Sequence, residues 1–152
     1  MKVIAWSPNL TETKAQEADA RLIGKSDLMA ESDAISVQMV LSPRSRGIIG
    51  AEDIGRMKKG AILINTSRGP LIDEDALLAA VKAGKIIAAL DVHDKEPLPP
   101  DYPLRVSGHT VLTPHLGYGV EETWREKRRG AISIPAASRM LWPSSMAGRS
   151  GF

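Results

Sequence analysis

Cysteine is absent from the 152 residues, which excludes disulfides and thiolate-bound metal and suits a reducing compartment. Long hydrophobic runs are absent too. Nothing approaches the ~18 residues of a membrane span, and the opening "MKVIAW" is too short for the core of a signal peptide. A soluble, cytoplasmic chain with no membrane partner is expected. Aromatic residues make up only 4% and do not interleave with the basic ones, so no base-stacking platform is present. A dominant charge sign is also missing, with 20 Lys and Arg against 18 Asp and Glu. The small excess is local: residues 125–152 carry a net +5 and the first 124 a net −3. The sequence pI near 9.0 therefore reflects the tail, and no nucleic-acid partner is expected.

What is present is an alternation. Apolar runs "KVIAW" (2–6), "AISVQMVL" (34–41), "AILINT" (61–66), "IIAALDV" (86–92) and "TVLTP" (110–114) read as strands. Several are continuously apolar, as in parallel sheets with helices on both faces. Between the third and fourth runs Asp73 caps a helix, Glu74 and Asp75 suit the positive end of its dipole, and Leu77, Leu78 and Val81 share a face before Gly84 stops it. Segments 26–33 and 51–60 read as shorter helices. The expected fold class is α/β, a doubly wound parallel sheet. Residues 1–124 form that domain, and 125–152, rich in Arg, Ser, Pro and Gly without any period, form a divergent basic tail expected to be disordered.

In open parallel sheets ligands bind beyond the carboxyl ends of the strands. Three polar residues stand there: Arg68 after "AILINTS", Glu96 after "ALDVHDK", and His115 after "TVLTP". Guanidinium grips a carboxylate as a two-pronged fork, and imidazole moves a proton near neutral pH when a carboxylate orients it. Each alone has an ordinary surface reading; the set of three does not. Asp91, a carboxylate ending the apolar "IIAAL", must cap something, pair with something or face a ligand. His93 and His109 read as loop histidines, and no metal site is expected.

The stretches "NTSRGPLIDEDALLAAVKAGKI", "AALDVHDKEPLP" and "VLTPHLGY", in this order, resemble the NAD-dependent D-isomer-specific 2-hydroxyacid dehydrogenases over residues 1 to about 124. The resemblance implies a Rossmann-type NAD(P)-binding domain and an oxidoreductase interconverting a D-2-hydroxy acid and its 2-keto acid by hydride transfer. It implies that Arg68 holds the substrate, His115 exchanges the proton and Glu96 hydrogen-bonds the imidazole. It further implies that Asp91 meets the carboxamide end of NAD or NADP, with Thr66, Ser67 and Gly117 lining the nicotinamide pocket. Ser7 would lie at the ribose end, and Met39 in the cofactor-facing loop. Family members pair as dimers through this domain.

The sequence departs from that pattern in several places. No G-x-G-x-x-G turn occurs, so the sheet is expected to be incomplete, lacking its first strand and glycine-rich loop, with "KVIAW" unable to pair directly with "AISVQMVL". Ser7 stands where NAD-preferring domains carry an acid, which leaves NAD versus NADP open. "QMV" (38–40) replaces a frequent H-x-P. These departures keep a second reading in play, a catalytically dead remnant or a nucleotide-sensing interaction module of the co-repressor type.

Overall fold

In the computed structural model, which describes residues 2–117 and 119, all five apolar runs become strands. In chain order the elements are β1 (Ile4–Ala5), α1 (Glu12–Glu17), β2 (Arg21–Leu22), α2 (Lys25–Glu31), β3 (Ala34–Val37), α3 (Ala51–Arg56), β4 (Ala61–Asn65), α4 (Glu74–Lys82), β5 (Ile86–Leu90) and β6 (Thr110–Leu112). The sequence reading did not mark β2 or α1. Two residues, one of them the exposed Arg21, are too few to show a period, and α1 buries only Ala15. The tail at 125–152 lies outside the described residues.

The strands form two sheets, β1–β2 and β3–β4–β5–β6, and every pairing is parallel. The register aligns Ile35 with Leu63 and Leu63 with Ala88, so the inward-facing residues stack across the sheet. β1 does not pair with β3, and the break expected from the missing central strand is present.

Burial alternates along the larger sheet. Ile35, Val37, Ala61, Leu63, Ile86, Ala88 and Leu90 are buried and join Met29 of α2, Ile54 of α3, and Leu77, Ala80 and Val81 of α4 in one core. The opposite face is less well covered among the described residues, with Ile62 36% and Val111 60% exposed. Continuous apolarity in the sequence thus becomes a one-sided core here. α4 forms as its signals require: the Asp73 carboxylate accepts the Ala76 N–H at 2.9 Å, and Gly84 leaves the helix at φ 64°.

Candidate active site

β4, β5 and β6 end side by side because their register pairs Asn65 with Leu90 and Leu90 with Leu112. The residues just beyond must then meet, and they do.

Asn65 closes β4 at 1% exposure. Its amide nitrogen donates to the Arg68 carbonyl at 2.8 Å and its carbonyl accepts the Ser67 N–H at 3.0 Å, folding "NTSRG" into a tight loop. The Ser67 hydroxyl donates to the Val37 carbonyl at 2.8 Å, which fastens the loop to β3. The Gln38 side-chain amide donates to the Thr66 hydroxyl at 3.3 Å. Arg68 donates to the Ser67 carbonyl at 2.6 Å and is otherwise exposed. Gly69 follows where only glycine fits: a Cβ there would lie 2.5 Å from the Asp94 nitrogen and the His93 carbonyl oxygen. The Arg68 loop is therefore seated directly on the segment that leads to Glu96.

Asp91, 6% exposed, accepts three hydrogen bonds. The Thr113 hydroxyl (2.5 Å) and the Leu116 N–H (2.8 Å) reach Oδ1, and the Gly117 N–H (2.7 Å) reaches Oδ2. Burial opposes its ionisation, but these bonds and the nearby His115 hold its carboxyl below the ordinary range. Of the options open for Asp91 in the sequence, the structure displays the capping one. It grips both sides of His115, whose backbone sits in the left-handed region at φ 57°, a conformation that costs a non-glycine residue about 1–3 kcal/mol.

The left-handed turn faces His115 toward Glu96, and Nδ1 lies 2.8 Å from Oε2. The other Glu96 oxygen accepts the His93 N–H at 3.0 Å. Burial again works against charge on Glu96, while the hydrogen bond from His115 and the one from His93 lower its pKa overall. An ionised carboxylate can only accept, so the proton between them sits on Nδ1.

His93, read from sequence as a loop residue, is 9% exposed, and its Nε2 lies 3.2 Å from the Thr113 carbonyl. With its N–H on Glu96 and the Gly69 loop on its backbone, it links all three strand ends. The signal for Asn65 was available, a buried amide closing an apolar run. None existed for His93, whose partner lies 20 residues away.

Thus Arg68, Glu96, His115, Asp91, Thr66, Ser67 and Gly117 gather at one end of the large sheet. Ser7 and Met39 do not join that hydrogen-bonded set. They line a cavity of about 310 Å³ between β1 and β3, beside Gln38. No group of three or more acidic or histidine side chains able to hold a metal occurs among the described residues.

The model for the NAD binding domain of the D-isomer specific 2-hydroxyacid dehydrogenases matches residues 1–117. The chain belongs to this family. It is 39% identical over 123 residues to D-3-phosphoglycerate dehydrogenase of Archaeoglobus fulgidus, covering 80% of this chain and 23% of that one. It is 42% identical over 122 residues to glyoxylate/hydroxypyruvate reductase B of Cronobacter sakazakii, covering 79% and 38%. Among solved structures, phosphoglycerate oxidoreductase from Vibrio cholerae superposes with a TM-score of 0.77 at 30% identity, covering 82% of this chain and 40% of that one. The chain spans between about a quarter and two-fifths of the length of these relatives.

The residues present suit the nicotinamide end of a dinucleotide. Asp91 is ionised and anchored beside Gly117, and the Thr66 and Ser67 hydroxyls stand at the end of the neighbouring strand. For the pyrophosphate end, the 152 residues contain no glycine-rich turn.

Proposed function

We propose that this domain carries the substrate-binding and proton-transfer groups for interconversion of a small D-2-hydroxy acid and its 2-keto acid. The observation that supports this most is the Glu96–His115 pair, 2.8 Å apart, with Glu96 held ionised. Arg68 offers two parallel donors to the substrate carboxylate and carbonyl oxygens. In the reducing direction His115 Nε2 gives its proton to the oxygen of the keto group. In the oxidising direction it takes that proton back. Glu96 keeps the ring oriented and stabilises it while it is doubly protonated. NAD or NADP, when bound, supplies or accepts the hydride. Asp91, Gly117, Thr66 and Ser67 would hold its nicotinamide end, with Ser7 and Met39 toward the ribose side.

The test begins with thermal melts of the full chain with and without excess NADH or NADPH. Stabilisation of about 2.7 kcal/mol is expected at a hundred times Kd, and the larger shift names the preferred cofactor. Turnover of glyoxylate and hydroxypyruvate follows, with His115→Gln expected to lower the rate by about 10²–10⁴. No melt response to either cofactor, together with turnover indifferent to His115, would remove the reading.

A further inference from the structure

Past the ends of β5 and β6 the backbone ladder gives way to side chains. Its last rung is the Thr113 N–H on the Leu90 carbonyl at 2.9 Å. The next acceptor along a parallel ladder is the Thr113 carbonyl, and it meets an imidazole, with His93 Nε2 at 3.2 Å. A carbonyl only accepts, so Nε2 carries the hydrogen and donates. The backbone N–H of the same residue donates to Glu96 Oε1 at 3.0 Å, and Glu96 Oε2 meets His115 at 2.8 Å. Side-chain bridges therefore join the two loops at Asp91–Thr113, His93–Thr113 and Glu96–His115, with His93 between the outer two.

The other ring nitrogen separates packing from positioning. His93 is 9% exposed, and its Nδ1 is buried with no hydrogen-bond partner among the described residues. A buried nitrogen without a partner costs stability, and a phenyl ring in its place carries no such cost. The imidazole packs edge-on against Tyr102, with ring centroids 6.4 Å apart at 67°, and the Tyr102 hydroxyl donates to Glu74 of α4 at 2.7 Å. Phenylalanine would serve that packing better. What the imidazole adds is the hydrogen bond to Thr113.

We propose that His93 is a positioning residue for the Glu96–His115 pair: its ring, pinned to Thr113, fixes the backbone N–H that orients the Glu96 carboxylate. Gly69, which leaves no room for a Cβ against the His93 carbonyl, closes on that backbone from the Arg68 side. A displacement at His93 is thus felt by the Arg68 loop and by the Glu96–His115 pair together. The consequence for turnover rests on the function proposed above, and the consequence for the geometry of the pair does not.

The test uses the full chain, isotopically labelled at histidine, with His115→Gln identifying the His115 Nδ1 proton among the three histidines. In His93→Phe, exchange of that proton with solvent should quicken about two- to tenfold, the contribution of one hydrogen bond. The thermal midpoint should move by less than about 4 °C. His93→Gln returns an N–H at the same number of bonds from the backbone and should restore slow exchange. In turnover of a keto acid, His93→Phe should lower kcat about two- to tenfold with KM unchanged, and His93→Gln should recover it. Absent turnover with the exchange effect intact would count against the proposed function and leave the positioning role standing. Unchanged Nδ1 exchange in H93F would overturn the proposal, as would a glutamine variant that exchanges as fast as the phenylalanine one. So would a midpoint lowered by more than about 4 °C together with faster amide exchange in β4 and β5, which would assign the imidazole a general structural role.

Discussion

The two sheets of this molecule are built from the same kind of sequence and end in different physical states. In the four-stranded sheet Leu63 and Ala88 are fully buried, Ile86 is 1% exposed, and α4 adds Val81 at 0%. In the two-stranded sheet Ile4, Ala5 and Leu22 are only half-buried, and Val3 is 45% exposed. The difference lies in the neighbours rather than in the composition. A strand with partners on both edges and helices above it converts apolarity into buried area, and one with a single two-residue partner cannot. The chemical groups follow the same division. Arg68, Glu96, His115 and Asp91 stand on the well-packed sheet, where a hydrogen bond can be held to a few tenths of an ångström. Ser7 and Met39 stand on the open slot between β1 and β3. The lesson is that the end of the domain carrying Glu96, His115 and Asp91 is preorganised by its own residues, and the slot lined by Ser7 and Met39 is not.

The largest expected effect tests that contrast directly. Leu63→Ala should cost about 2–5 kcal/mol in urea unfolding, as a fully buried leucine does. Ile4→Ala, removing a half-buried side chain beside an existing cavity, should cost less than about 1 kcal/mol. Equal costs would mean that β1 is as tightly packed in solution as β4, and the comparison would break.

Asp91→Asn comes next. Its amide nitrogen would face backbone or hydroxyl donors that the carboxylate accepts, so a loss of about 1–3 kcal/mol is expected at neutral pH. The folded-state pKa of Asp91 is lowered, so its contribution is fully present above the unfolded value of about 3.9 and is lost as pH falls through the folded value. Wild-type and variant stabilities should therefore converge below about pH 4. A gap that stays constant down to pH 2 would show that folding leaves the Asp91 pKa unchanged.

The smallest effect concerns the link between the regions. Lys25, at the start of α2, bonds Asp53 of α3 and lies 5.6 Å from the centre of the Trp6 ring just beyond β1. With Lys25 28% and Asp53 17% exposed, solvent screening trims the pair, and Lys25→Met should cost about 1 kcal/mol or less overall. Amide exchange at Ala5 and Ile23 should nonetheless accelerate while that of β4 and β5 stays put. Uniform acceleration would show that the two sheets open as one unit.

Much of this organisation could be read from residues. The runs that became β3 to β6 are apolar enough to need burial whatever their partners, and Asp73 and Gly84 bracket α4 by local chemistry that requires no tertiary context. Arg68, Glu96 and His115 could be noticed because charged and titratable groups at strand ends are out of place in a core. β2 was not legible, since a two-residue strand exists only because β1 lies beside it. Asn65 left a faint signal as a buried amide and His93 left none. Asp91 was legible as an anomaly, and its hydrogen bonds to Thr113, Leu116 and Gly117 were not, because they join positions 22 to 26 residues apart.

The sequence by itself determined which segments seek burial, where the helix begins and ends, which side chains are available for anion binding and proton transfer, and that no glycine-rich turn lies among these residues. Only the tertiary structure decided that these side chains meet. Glu96 and His115 are 19 residues apart and come within 2.8 Å because β5 and β6 pair in parallel with Leu90 opposite Leu112. That register sets Thr113 against Asp91, and the Asp91 carboxylate then bends the chain at His115 back toward Glu96. Parallel pairing brings like ends of distant strands together, a relation that no local spacing encodes.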